Sequence, residues 1–95
     1  MNSEATDLQR EDPVSYFLED MTYHGKSDRT RAAYERVLRR FEAFLSDPAQ
    51  NPSNASISIS DASYRDCMAW IHTLRRSEMA DSTIATYASY LHRFY

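Results

Sequence analysis

Glycine occurs once in these 95 residues, cysteine once, lysine once and proline three times. One glycine excludes a glycine-rich phosphate loop and, with so few prolines, disfavours a turn-dense all-β fold. One cysteine, Cys67, excludes an internal disulfide framework and a multi-cysteine zinc site, which fits a reducing compartment. No stretch approaches the roughly 18 apolar residues of a membrane span, and the polar, acidic start (Met1 to Asp12) lacks the basic and apolar parts of a signal peptide. A soluble, cytoplasmic chain with no membrane partner is expected. What remains is 42% hydrophobic and 13% aromatic, enough for one packed core. The fold class is all-α.

The net charge of -3 hides an uneven distribution. Residues 1–25 carry a net charge of -5, residues 26–40 a net +4, and residues 41–95 a net -2. The middle block is a basic island. Ten of the eleven basic residues are arginine, Lys26 being the exception, and with the acidic remainder this points to a salt-adapted source.

Residues 1–12 lack apolar periodicity and read as a disordered arm, leaving 13–95 as the domain. Four helices are predicted near 13–24, 28–46, 61–76 and 82–95, in a monomer. The first opens on Pro13, turns Tyr16, Phe17, Leu18, Met21 and Tyr23 inward, and ends at Gly25. Ser27 or Asp28 caps the second, whose Thr30, Tyr34, Val37, Leu38, Phe41, Phe44 and Leu45 recur at spacings of three and four. A polar connection follows around Pro48 and Pro52, and Ile57 and Ile59 tuck onto the core in extended chain. Ser60 or Asp61 caps the third helix, with Tyr64, Cys67, Met68, Trp70, Ile71 and Leu74 buried. Asp81 or Ser82 caps the fourth, with Ile84, Tyr87, Leu91, Phe94 and Tyr95 inward. Because the pattern stops without a C-cap, the chain is expected to be part of a longer polypeptide.

An offset of 53 residues superimposes the chain on itself without a gap. Asp28, Thr30, Ala32, Tyr34, Leu38, Arg40 and Phe41 match Asp81, Thr83, Ala85, Tyr87, Leu91, Arg93 and Phe94. Upstream, Phe17, Leu18 and Met21 fall opposite Trp70, Ile71 and Leu74, so the repeated unit is a helical hairpin. The outward stripe of the second helix is Arg29, Ala33, Arg36 and Arg40; on the fourth it is Ser82, Thr86, Ser89 and Arg93. Arg36 and Arg40 have no acid four residues away on their own helix. Unpaired guanidinium groups beside small hydroxyl donors suit a polyanion such as a DNA backbone.

The run Ser27-Asp28-Arg29-Thr30-Arg31-Ala32-Ala33-Tyr34, then Leu38-Arg39-Arg40-Phe41 and Phe44-Leu45, resembles the second helix of the N-terminal core-binding domain of tyrosine recombinases, the phage-integrase family. Ser82-Thr83-Ile84 with Leu91, Arg93, Phe94 and Tyr95 resembles its fourth helix, so the resemblance spans about residues 13–95. It implies a four-helix, SAM-like domain of two hairpins that clamps a duplex recombination half-site through its second and fourth helices. Lys26, Arg29, Thr30, Ala33, Arg36, Arg40, Ser82, Thr83, Thr86, Ser89 and Arg93 are then the candidate DNA contacts. Thr30 and Thr83 would lie near phosphates, and Ala33, Arg36, Thr86 and Ser89 would face the major groove. The implied partners are double-stranded DNA, the C-terminal catalytic domain of the parent chain, and other recombinase protomers on DNA.

No catalytic residue, metal ligand set or cofactor motif is expected in this chain. Tyr34 and Tyr87 lie on apolar stripes, and His24, His72 and His92 fall on three different elements. Cys67 reads as a small buried hydrophobe. A second reading remains: a helical protein–protein interaction domain without nucleic-acid binding.

Overall fold

The computed structural model describes residues 12–51 and 53–95 and contains four α-helices: α1 (Pro13–Tyr23), α2 (Asp28–Ser46), α3 (Tyr64–Arg76) and α4 (Asp81–Phe94). A 3₁₀ turn, Ile59–Asp61, precedes α3, and no strand occurs among the described residues. Of the arm expected over 1–12, residues 1–11 lie outside the described residues and Asp12 is the N-cap of α1. By internal contacts the chain forms two compact units, one ending at Arg36 and one running from Val37 to Tyr95, with α2 contributing to both.

In the first unit Val14, Met21 and Tyr34 are buried, and the Phe17 and Tyr34 rings lie 5.7 Å apart. In the second, Phe41 is fully buried and meets Trp70 at 5.0 Å, while Trp70 stacks on Tyr87 at 5.7 Å with an interplanar angle of 18°. Ile59 is buried as expected, but it opens the 3₁₀ turn rather than lying in extended chain, and Ile57 is half-buried. The connection between the hairpins is organised by Asn51, only 3% exposed, whose amide donates to the carbonyls of Leu45, Asp47 and Ala55.

The 53-residue repeat extends to the backbone. At the end of α1, Gly25 N–H donates to Thr22 and Lys26 N–H to Met21; at the end of α3, Glu78 N–H donates to Arg75 and Met79 N–H to Leu74. Both pairs form the two-bond Schellman closure, with the pivot residue left-handed: Gly25 at φ 78° and Glu78 at φ 63°. The aromatic pair is repeated too, since Phe17 and Tyr34 are the equivalents of Trp70 and Tyr87.

Several expectations need correction. The apolar spacing predicts Tyr16, Tyr23, Tyr64 and Tyr95 inward, yet they are 48%, 88%, 80% and 52% exposed. On α1 the buried side is set by Val14 and Met21, seven residues apart, which turns Tyr16, Glu19 and Tyr23 to the opposite side. The third helix starts at Tyr64, not 61. Ser58 caps the 3₁₀ turn, and Ser63 caps α3 in a reciprocal capping box with Asp66, which is 4% exposed. The fourth helix has Ala80 at its N-cap with no side-chain bond, whereas Ser27 at the equivalent position of α2 accepts the Thr30 N–H at 3.2 Å.

The second hairpin turn is therefore a poorer copy of the first. A non-glycine residue in the left-handed region and an alanine N-cap each cost about 0.5–1 kcal/mol. Glu78→Gly and Ala80→Ser are each expected to raise stability by about that amount, and Ser27→Ala to lower it by about 1 kcal/mol, measured by denaturant unfolding. A loss of stability in Glu78→Gly would contradict the equivalence of the two turns.

Candidate nucleic-acid interface

The α2 stripe begins in the first unit. Lys26, Arg29 and Arg36 are exposed, Thr30 and Ala33 half-buried. The Ser27 hydroxyl donates to Thr30 Oγ1 at 3.0 Å while accepting the Thr30 N–H, so both groups are fixed at the helix start. Among the described residues the side chains of Lys26, Arg29 and Arg36 make no hydrogen bond or ion pair. Their neighbours are engaged: Arg31 pairs with Asp28, and Arg39 with Glu42 at 2.8 Å. An exposed guanidinium without a protein acceptor keeps its donors for a ligand.

Arg40 lies in the second unit and departs from the stripe in one respect. Its Nη1 donates to the Tyr87 hydroxyl at 3.1 Å, so it is not unpaired as the spacing suggested. Tyr87 is 7% exposed, its ring stacked on Trp70 and its hydroxyl reaching Arg40 at the edge of the core. The sequence marked Tyr87 as apolar; the pairing of its polar end with a residue 47 positions away had no local signal. In the same unit α4 exposes Ser82, Thr86, Ser89 and Arg93, with Thr83 half-buried. The Thr86 hydroxyl donates to Ser82 O at 3.0 Å, which leaves its lone pairs outward.

No cluster of three or more His, Cys, Asp or Glu side chains suited to a metal occurs among the described residues. Cys67 is half-buried beside Asp66 in a groove between α3 and α4 of about 670 Å³, also lined by Tyr64, Met68, Leu91 and Tyr95. Burial, then the Asp66 charge, push its thiol up from 9.0, partly offset by a backbone hydrogen bond. That is the reverse of what a nucleophilic thiolate needs. Burial, then Cys67, Asp66 and Glu42, likewise push the Tyr95 phenol up from 10.0, and its hydroxyl donates to Ile59 O at 2.5 Å.

Compared with known families, residues 14–95 match the model of the phage integrase N-terminal SAM-like domain. No curated protein and no solved structure matches the chain. No helix among the described residues is long and apolar enough to cross a membrane.

Raised folded-state values for Cys67 and Tyr95 mean that the folded chain holds these protons more tightly than the unfolded one. Their contribution to stability is full below the unfolded values and is lost as pH rises past about 9. Denaturant midpoints are expected to hold from about pH 7 to 9 and decline above it, less steeply in Cys67→Ala. A flat alkaline profile would show that neither group is shielded.

Proposed function

The chain belongs to the phage integrase N-terminal SAM-like family, and from that premise we propose that it is the DNA-binding domain of a site-specific tyrosine recombinase. Its second and fourth helices clamp one side of a duplex half-site. The observation that carries this reading is the set of exposed cations on α2 without protein partners, Arg36 foremost, in a chain whose net charge is negative. Lys26, Arg29, Arg40 and Arg93 supply charge to phosphates. Thr30 and Thr83 sit at helix starts, where the positive end of the helix dipole favours phosphate. Ala33, Thr86 and Ser89 have little bulk, which allows the backbone of each helix to approach the groove.

A SAM-like domain of this kind is not the catalytic domain of an integrase, and strand exchange in the parent belongs to a C-terminal domain. The partners are duplex DNA, that catalytic domain, and other protomers on DNA. The working place is the cytoplasm. In a salt-rich cell, hydroxyl and shape contacts carry more of the binding, because counterion release weakens as salt rises.

Arg36→Glu tests the interface directly. It removes one cation and adds one anion at an exposed position, so stability is expected to change by only about 0.5 kcal/mol or less. Duplex affinity is expected to fall tenfold or more, since one lost contact is worth about 1–3 kcal/mol. Arg75→Glu, an equal charge change at an exposed position on α3, is expected to bind nearly as the parent does, read by fluorescence anisotropy. Equal losses at both would reduce the effect to net charge, and no loss at Arg36 would take α2 out of the interface and favour a protein-interaction domain.

A further inference from the structure

Tyr87 is a core ring whose polar end is only half used. Its side chain is 7% exposed and stacked on Trp70 at 5.7 Å, so the place of its hydroxyl is set by the core. That hydroxyl accepts one hydrogen bond, from Arg40 Nη1 at 3.1 Å, and its own proton has no acceptor among the described residues. A buried phenol normally gives its proton to a partner, so an unused one asks for an acceptor. Arg40 is exposed, one turn beyond Arg36 on the outward stripe of α2, and makes no other hydrogen bond or ion pair among the described residues. Its remaining N–H donors are therefore free. Both residues belong to the second unit, and their bond joins α2 to α4.

We infer that Arg40 and Tyr87 together seat one phosphate of the duplex, with Tyr87 positioning the guanidinium. This rests on the DNA-binding reading above, and it adds to that interface a residue that apolar spacing and burial both assign to the core. Tyr87 acts in two ways. By accepting from Nη1 it restricts a long, exposed side chain before the duplex arrives, so less freedom is lost on binding. Its O–H also stands beside the guanidinium as a neutral donor, and a phosphate oxygen held by Arg40 gives that proton the acceptor it lacks. A phosphate held this way touches α2 and α4 at once. It fixes the register of the two helices on the backbone and reads no base.

The test is duplex binding by the whole chain, followed by fluorescence anisotropy at about 0.1 M salt. Tyr87→Phe keeps the ring and its stack on Trp70, and is expected to keep the parent's denaturant midpoint while binding about three- to tenfold more weakly. Arg40→Ala is expected to weaken binding about tenfold. Adding Tyr87→Phe to Arg40→Ala is expected to cost less than about twofold more, because the phosphate is no longer brought to the hydroxyl. A hydroxyl that served only the core would give two losses that multiply. Arg40→Lys keeps the charge but not the fork that reaches hydroxyl and phosphate together, and is expected to bind at least about threefold more weakly; it decides the matter should Tyr87→Phe not fold. A parent chain that does not bind duplex overturns the DNA-binding reading and this inference with it. Binding by the parent, with Tyr87→Phe or Arg40→Lys equally tight or with losses that multiply, overturns this inference alone.

Discussion

Phe41 is the residue on which the second unit turns. It lies on α2, is fully buried, and packs against Trp70 of α3, which stacks in turn on Tyr87 of α4. Three helices are thus held through three rings, each pair adding about 0.5–1.5 kcal/mol beyond the area it buries. The same stack reaches the surface, because the Tyr87 hydroxyl at its edge holds Arg40. The packing that fixes the core also sets the direction of one cation in the candidate interface. The first unit uses the equivalent pair, Phe17 and Tyr34, at the same centroid separation.

Charge is unevenly divided along the chain. Acidic groups concentrate before residue 26, the +4 block follows on the turn into α2 and along α2 itself, and α4 contributes hydroxyls with one arginine. Within the block, pairing is selective: Arg31 and Arg39 are tied to acids three residues away, while Arg29 and Arg36 are not. A surface arranged only for solubility has no need of that distinction. A surface that receives phosphates does, since each acid beside a guanidinium competes with the ligand.

The helices and the repeat were legible because spacing carries them: α2 begins and ends where the apolar period predicts, and both hairpin turns fall 53 residues apart. Aromatic side chains were the main source of error. Tyrosine satisfies an apolar stripe and an exposed one equally well, so Tyr16 and Tyr23 gave no sign of facing outward. The start of α3 was ambiguous among several serines, and only the burial of Asp66 selects Ser63. Ala80 shows the opposite case, a helix begun by its turn rather than by its cap. Arg29, Arg36 and Arg93 are exposed, as the outward stripes predict. The half-burial of Thr30, Ala33 and Thr83 and the Arg40–Tyr87 bond depend on packing between elements, which a single helix period does not encode.

The central claim is that a chain with an acidic total charge binds duplex DNA through four or five exposed cations. Titrating the domain against a duplex of about 20 base pairs across about 0.05–0.3 M salt measures this most directly, because the slope of log K against log salt counts the phosphates neutralised. The account predicts measurable binding at the low end and a slope of about -4. A slope near zero, or no binding at low salt, would contradict it.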